Sequence, residues 1–221
     1  MSLSIIMPML NEANSLPQTL DELRPYATSA ELILVDGGSS DHSVALAQRA
    51  GVKVISSAPG RARQMNAGAA VASGDDLLFL HADTRLPPDA DRLIAEALSH
   101  HHWGRFDVTI SGRHPMLAVI AFMMNRRSRL TGIATGDQAI FMRRSSFEAV
   151  GGFPDQPLME DIELSKRLKY LGSPACLAQR VVTSGRRWEQ KGLWRTVLLM
   201  WRLRFAYWRG ASPEQLARAY R

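Results

Sequence analysis

The chain has 221 residues, 46% of them hydrophobic and 22% charged, which excludes a disordered protein and is sufficient for one domain with a full core. Its one cysteine, Cys176, excludes an internal disulfide and a cysteine-based zinc cluster. The net charge of +6 is uneven, since residues 180–221 hold ten Lys and Arg against two Asp and Glu. Such a basic tail indicates nucleic acid, anionic lipid or a phosphorylated substrate, unless it is a solvated charged face.

The N-terminal sequence MSLSIIMPML runs directly into a strand-like pattern and lacks the basic and long apolar regions of an export signal. The longest uninterrupted apolar run, Met116 to Met124, is far shorter than the roughly 20 residues of a membrane-spanning helix. We therefore expect a cytoplasmic protein that contacts the inner face of a membrane, if at all, only through its surface.

In the first half of the chain, stretches rich in Ile, Val and Leu alternate with amphipathic stretches. The predicted strands are LSIIMPML, ELILVDGG, VKVISS and DLLFLHAD, with helices near residues 15–26, 41–50 and 61–73. Near-continuous apolar strands are typical of a parallel sheet covered on both faces, so this half is predicted to be α/β. Asp41 is expected to cap the second helix, and Gly51 and Gly74 to end the second and third.

From about residue 104 the pattern predicts a mixed sheet: strand RFDVTIS, a helix opened by Pro115, strand DQAIFMRR, a helix near 160–171 and strand ACLAQRVVT. A helix then runs from Leu193 to Arg209, and Ser212 caps one more short helix. The longer helix is apolar on two sides, so it either covers the sheet on one side and a partner chain or membrane on the other, or is simply buried.

Acidic residues follow three of the predicted strands: Glu12 after the first, Asp36 after the second and Asp83 after the fourth. A single such carboxylate is usually a turn or helix cap. Because the carboxyl ends of parallel strands meet at one edge, where ligands bind, we expect the three to lie together. Clustered carboxylates repel one another and need a cation or hydrogen-bond donors, and a nucleotide with its metal supplies both.

Two further clusters carry charges at helix starts. GRARQMNAG places Arg61 and Arg63 in a first helical turn, where a phosphate is one partner and the solvated surface the other. Glu160 and Asp161 open a later helix, where acids are favoured electrostatically or can accept a proton from a substrate hydroxyl. The glycine-rich fingerprints of dinucleotide-binding and P-loop proteins are absent from the sequence.

Taken in order, the motifs SIIMPMLNE, LILVDGGSSD, GRARQMNAG, LFLHADT, GDQAIFMRR, GGFPDQPLMEDIELSKRL and GRRW resemble the inverting family-two glycosyltransferases of GT-A fold. The similarity is greatest to a short bacterial subgroup with His-Ala-Asp in the metal motif. The resemblance implies a GT-A domain over residues 1–190, with a nucleotide-binding half (1–103) and an acceptor-side half (104–190). Residues 191–221 follow as an amphipathic helical segment.

The resemblance also implies roles for individual residues. Asp161 matches the catalytic base, and Asp83 with His81 matches the motif that binds a divalent metal, Mn²⁺ or Mg²⁺. The positions that match the nucleotide-sugar site are Asn11, Glu12, Asp36, Asp41, Arg61, Asn66, Gly68, Arg187 and Trp188. The implied reaction is the metal-assisted transfer of a sugar, with inversion, from a nucleotide-diphosphate sugar, most simply a UDP-sugar, to a hydroxyl of a lipid or small molecule.

Two departures from the family pattern narrow this expectation. His81 replaces the first acid of the metal motif, and imidazole suits Mn²⁺ less than carboxylate does. Thr183 and Ser184 stand where the family's Q-x-x-R-W motif would begin, so we expect single transfers rather than polysaccharide synthesis. The alternatives are a nucleotidyltransferase and a catalytically silent nucleotide-sugar-binding protein. We expect no nucleic-acid partner, and a homodimer is one use for the C-terminal helix.

Overall fold

One mixed eight-stranded sheet runs through residues 2–220, the part of the chain that the computed structural model describes. The strands are β1 (Leu3–Met9), β2 (Ala30–Asp36), β3 (Lys53–Ser56), β4 (Asp76–Phe79), β5 (Thr84–Arg85), β6 (Trp103–Ser111), β7 (Ile140–Arg143) and β8 (Ala175–Ser184). Their order across the sheet is β3-β2-β1-β4-β7-β6-β8-β5. The first four are parallel, and β7 is antiparallel to its neighbours β4 and β6. The predicted parallel first half and mixed second half are confirmed.

Helices cover both faces of this sheet. They are α1 (Leu16–Leu23), α2 (Ser43–Arg49), α3 (Arg61–Val71), α4 (Ala90–His100), α5 (Met116–Thr131), α6 (Arg144–Ala149), α7 (Glu160–Leu168), α8 (Arg186–Lys191), α9 (Leu193–Trp208) and α10 (Pro213–Tyr220). Every residue of β1 is buried, with Ile5 and Met7 in one core cluster and Ile6 in the other. This two-sided burial explains why β1 is apolar along nearly its whole length, because neither of its faces meets water.

Local signals at the helix ends are confirmed in part. Gly51 follows α2 with a φ of 73°, the left-handed conformation that favours glycine, and Ser212 accepts a hydrogen bond from the Gln215 amide. The prediction that Gly74 is a left-handed cap is wrong: α3 ends at Val71, and a Cβ on Gly74 would lie 2.7 Å from the Ser4 nitrogen. Close approach of the backbone to β1, and not helix termination, accounts for this glycine.

Helix α9 is buried on one side and exposed on the other. Leu193 packs with Ile110 of β6 and Leu117 of α5, and Leu203 packs with Leu216 of α10. The opposite face, which includes Trp201, is exposed, so the alternative of a simply buried helix is wrong. Within residues 2–220 we find no helix with the length and hydropathy needed to traverse a bilayer.

Glu31 of β2 forms hydrogen bonds with β1, with β3 and with the segment that follows α3. Its carboxylate accepts hydrogen bonds from Ser4 Oγ (2.8 Å), Lys53 Nζ (2.9 Å) and the Ser73 amide (2.7 Å). Burial raises the pKa of Glu31, but these donors outweigh it and lower the pKa to about 2. The stabilisation is therefore complete above the ordinary carboxyl pKa and is lost as the pH falls towards about 2.

We expect Glu31→Gln to lower the free energy of unfolding by about 1 to 2 kcal/mol at neutral pH, since it weakens charge-assisted hydrogen bonds. The deficit should shrink as the pH falls through the acid range, because the wild-type carboxylate is then lost as well. Urea unfolding at a series of pH values measures both effects, and Glu96→Gln, at an exposed position of α4, is the matched control. A deficit that does not change with pH would contradict the assignment.

Candidate functional site

A cavity of about 180 Å³ opens where the carboxyl ends of β4 and β8 meet the start of α7. It is lined by charged side chains that are far apart in the sequence. The predicted site residues among them are Arg61, His81, Asp83, Asp161, Arg187 and Trp188. The sheet brings them together because β4 and β8 point the same way and α7 begins at their common edge.

Asp161, the predicted base, lies in the first turn of α7. Met159, with a φ of 66°, turns the chain sharply into the helix. The Asp161 carboxylate then accepts hydrogen bonds from the Gly136 amide (2.9 Å) and the Ile162 amide (2.7 Å). Burial raises the pKa of Asp161, and the nearby Asp137 adds to the effect, so the two amides do not restore the ordinary value. A carboxylate with a raised pKa is a stronger general base.

Asp137 is a site residue that the sequence analysis missed. It lies in a short 3₁₀ turn, Gly136–Gln138, directly before β7, and its Oδ1 is 3.3 Å from His81 Nδ1. Burial raises the pKa of Asp137, but the hydrogen bond from His81 and the charges of Arg61 and Arg187 outweigh it and lower the pKa. The Gly-Asp-Gln sequence before a strand was the available signal. This signal was missed because the sequence pattern does not show that β7 runs antiparallel to β4, which brings the amino end of β7 to this edge.

His81 contacts the same turn with both sides of its ring. Nδ1 faces Asp137, and the other side of the ring lies against Gly136. A Cβ added to Gly136 would be 2.3 Å from Nε2 and 2.4 Å from Cε1. His81 therefore packs between the end of β4 and the turn that donates a hydrogen bond to Asp161. Both ring nitrogens face protein groups, an arrangement that suits a positioning residue better than a metal ligand.

Asp83 fits a divalent cation better than His81 does. Its carboxylate lines the cavity with Arg61 and Arg187, and its one hydrogen bond within residues 2–220 is a long contact of 3.5 Å from Thr84 Oγ1. In that same part of the chain, no three His, Cys, Asp or Glu side chains are arranged to hold a metal ion. A hard cation held here would thus take most of its oxygen ligands from a bound molecule, as cations do in phosphate-binding sites.

Two of the arginines that line the cavity, Arg61 and Arg187, have different kinds of partner. Arg61 opens α3, and the charges of Glu160, Asp137 and Asp161 raise its pKa although burial lowers it. The Arg187 guanidinium lies 3.7 Å from the centre of the Tyr220 ring and donates a 3.3 Å hydrogen bond to the Tyr220 carbonyl. Arg187 Nε is buried and has no hydrogen-bond partner among the described residues. An anion in the cavity would satisfy it.

The loops after β1 and β2 form a second part of the same edge. Asp36 accepts hydrogen bonds from the amides of Gly38 and Ser39, and Asn11 Oδ1 accepts one from the Ser40 amide. The Glu12 carboxylate accepts a hydrogen bond of 2.6 Å from the Ser15 hydroxyl. Three predicted nucleoside residues thus lie on two adjoining loops that hold each other in place.

Asp41 connects these two loops and is not itself the helix cap that we expected. The N-cap of α2 is His42, and Asp41 precedes it. Its carboxylate oxygens accept hydrogen bonds from the Ala13 amide (3.0 Å) and the Ser43 amide (2.9 Å). The residue therefore holds the loop after β1 against the start of α2.

The predicted residues of α3 other than Arg61 have packing roles in the structure. Asn66 pairs with both backbone groups of Phe153, and a Cβ on Gly68 would lie 2.4 Å from Ile6 Cγ2. Buried Gln64, which the sequence analysis missed, donates to the carbonyls of Met9 and Val35 at the ends of β1 and β2. These contacts fix α3, and with it Arg61, against the carboxyl edge of the sheet.

The sequence is similar to those of several curated proteins. It is 34% identical over 163 residues to a PGL/p-HBAD biosynthesis glycosyltransferase of Mycobacterium bovis, covering 68% of this chain and 62% of the relative. It is 34% identical over 107 residues to the undecaprenyl-phosphate 4-deoxy-4-formamido-L-arabinose transferase of Proteus mirabilis, covering 42% of this chain and 33% of the relative. The chain thus spans between one third and two thirds of the length of these relatives.

The fold is shared with solved structures. A mannosyltransferase from Pyrobaculum calidifontis, solved with GDP-Man and Mn²⁺, superposes with a TM-score of 0.66 at 19% identity, covering 99% of this chain and 68% of that chain. TarS of S. aureus, residues 1–349 with UDP-GlcNAc, superposes with a TM-score of 0.64 at 16% identity, covering 83% and 58%. The predicted GT-A fold is confirmed. Residues 4–151 match the model of the family described as Glycosyl transferase family 2. This chain belongs to that family.

Proposed function

We propose that the protein transfers a sugar from a nucleotide-diphosphate sugar to an acceptor hydroxyl, with inversion at the anomeric carbon. The observation that carries this proposal is the cavity itself. It combines a carboxylate of raised pKa, Asp161, with three arginines and an acid, Asp83, that has few other partners. A proton acceptor beside an anion-binding group is what a displacement with a departing diphosphate requires.

The donor would lie along the carboxyl edge of the sheet. In this proposal Asn11, Glu12 and Asp36 bind the nucleoside, and Arg61 and Arg187 bind the diphosphate. Asp83 would hold a divalent cation, Mn²⁺ or Mg²⁺, which supplies charge stabilisation to the diphosphate when bound. Among proteins of this fold, TarS has been solved with UDP-GlcNAc and a glucosyl-3-phosphoglycerate synthase of Mycobacterium tuberculosis with Mg²⁺ and UDP. We therefore propose uridine as the first base to test.

The chemistry assigned to this chain is one displacement. Asp161 takes the proton of the acceptor hydroxyl while the acceptor oxygen forms a bond to the anomeric carbon. The bond from that carbon to the diphosphate oxygen breaks, and its electron pair leaves with the diphosphate. Arg61 and Arg187 stabilise the charge that accumulates there. A single displacement from the opposite side of the sugar inverts its configuration.

A lipid-linked acceptor is the class that we propose to test first. The name of the Proteus mirabilis relative specifies undecaprenyl phosphate, which is a lipid carrier. In addition, the basic C-terminal region of this chain borders the cavity through Thr196 and Arg204 of α9. A phosphate or other anionic head group would complement that charge.

The deciding experiment compares UDP and UDP-sugars, with and without Mn²⁺, on wild type and Asp83→Ala. We expect saturating UDP with Mn²⁺ to raise the wild-type Tm by roughly 5 to 10 °C, because ligand binding adds to the free energy of unfolding. Asp83→Ala should lose the part of this shift that depends on Mn²⁺. Asp21→Ala, at an exposed acid of α1, should keep all of it.

The same experiment separates the proposal from its alternatives. Donor hydrolysis or transfer by the wild type supports a transferase. Binding of UDP-sugars without turnover of any donor would instead support the alternative hypothesis of a catalytically silent nucleotide-sugar-binding protein. If no nucleotide sugar or UDP shifts the Tm in either metal condition, the proposed function is wrong.

A further inference from the structure

Helix α9 presents a row of large apolar side chains to solvent. Each is between 59% and 77% exposed, although side chains of this kind are normally covered. They recur every three or four residues and therefore lie along one face of the helix. The members of the row are Trp194, Leu198, Trp201, Phe205 and Trp208.

The neighbouring helix α5 extends this apolar surface. Leu117 of α5 and Leu193 of α9 share a buried cluster, so the two helices pack together. On α5, Val119 is 47% exposed and Met123 is 56% exposed. The exposed apolar side chains therefore extend from α9 to a second helix that shares a buried cluster with it.

The charges on this surface are all of one sign. Arg195, Arg202 and Arg209 are exposed and stand seven residues apart, so they line one flank of the apolar row. Neither Met116–Thr131 nor Leu193–Trp208 contains an Asp or Glu. An apolar strip with Trp and Phe beside an unopposed row of arginines is the arrangement of helices that lie in the head-group region of a membrane.

We propose that this docking face, the apolar row of α9 with its three flanking arginines and Val119 and Met123 of α5, binds the surface of an anionic bilayer. The apolar side chains enter the boundary between head groups and acyl chains, and the arginines pair with anionic head groups. The helix lies along the surface and does not cross the bilayer, for which it lacks the length and hydropathy.

A second copy of the chain is the competing occupant, because a four-three spacing of apolar residues also suits paired helices. In an antiparallel pair the two arginine rows would lie on the same side of the seam, and in a parallel pair each row would face the other flank of the partner helix, which carries no carboxylate. The exposed helices offer no carboxylate to neutralise them. Anionic lipid supplies the missing negative charge, so the charges favour the membrane over the dimer.

Under the proposed function, on which this step rests, the docking face also holds the cavity close to the membrane. Thr196, Met200 and Arg204, on other sides of α9, line the cavity. One helix, with a diameter of roughly 10 Å, therefore separates the cavity from the bound surface. An acceptor anchored in the bilayer would need to reach only around this helix.

The test is co-sedimentation of the full chain with phosphatidylcholine vesicles, with and without phosphatidylglycerol, at several salt concentrations and with no donor or acceptor present. We expect binding to the anionic vesicles that weakens with salt. Trp201→Ser with Phe205→Ser, and separately Arg202→Glu, should each weaken binding by roughly tenfold or more. All three side chains are exposed, and circular dichroism checks the fold. Matched controls elsewhere on the surface are Tyr170→Ser and Arg49→Glu, which should bind as the wild type does.

Three results would overturn the proposal. The first is that the wild type binds no vesicle at any salt concentration. The second is that it binds equally to vesicles with and without phosphatidylglycerol. The third is that the wild type is a dimer and that the same substitutions convert it to a monomer. None of these readouts uses catalysis, so they are separate from a failure of the proposed function. The Trp201 and Phe205 double variant should still hydrolyse a donor in solution at the wild-type rate if the transferase assignment holds.

Discussion

Replacing Asp161 by Asn should lower kcat by roughly a hundredfold to ten-thousandfold and leave donor affinity nearly unchanged. The carboxylate is positioned by the amides of Gly136 and Ile162, and burial raises its pKa. Asparagine can still accept a hydrogen bond there but cannot take a proton from the acceptor. The loss should therefore appear in the chemical step and not in the binding of the nucleotide.

Steady-state kinetics with a donor identified by thermal shift measures this prediction. In the wild type, kcat/KM should rise with pH through the pKa of Asp161, which lies above that of an ordinary carboxyl group, because only the ionised form is a base. The residual rate of Asp161→Asn should lack that limb. Glu163→Gln, two residues further along the same helix, serves as the control and should keep both the rate and the profile. Turnover by Asp161→Asn at the wild-type rate would mean that another group is the base.

The stability of the same variant shows whether lost activity reflects lost structure. Since burial raises the folded-state pKa of Asp161, its ionisation costs stability. The cost is absent below the ordinary carboxyl pKa and grows as the pH rises towards the raised value. Asp161→Asn should therefore be at least as stable as the wild type at neutral pH, which urea unfolding can measure.

The features that the sequence predicted correctly are those set by local pattern. β1 and β2 begin and end within a residue or two of the predicted runs, because strands buried on both faces admit few polar residues. β4 is shorter than predicted, Asp76–Phe79, and His81 and Asp83 lie in the turn that follows it. The location of Glu12, Asp36 and Asp83 at the carboxyl edge depended only on parallel pairing of β1, β2 and β4, which the alternation of strands and helices already indicated.

The site residues that were missed depend on long-range arrangement. Asp137 reaches His81 because β7 runs antiparallel to β4, and the periodicity of a strand does not give its direction. Tyr220 reaches Arg187 because α10 packs against α9 through Leu216 and Leu203. Apolar patterns show that a helix has a buried side, but they do not show which element lies opposite.

Replacing Gly136 by Ala should impair the enzyme although glycine and alanine differ by one methyl group. The added Cβ would lie 2.3 Å from His81 Nε2, well inside van der Waals contact. Either the imidazole or the 3₁₀ turn must move, and movement of the turn draws the Gly136 amide away from Asp161. We expect kcat to fall roughly ten- to a hundredfold and the free energy of unfolding to fall by about 1 to 3 kcal/mol.

The matched test is the double variant His81→Ala with Gly136→Ala, in which the smaller side chain at position 81 leaves room for the new methyl group. If His81 acts by packing between β4 and the turn, the double variant should be less impaired than the two single changes predict together, which is a measurable coupling. His81→Ala alone should keep the Mn²⁺-dependent stabilisation by UDP, because Asp83 is the proposed ligand. Loss of that stabilisation together with additive effects of the two substitutions would instead make His81 a metal ligand, as the His-Ala-Asp motif first implied.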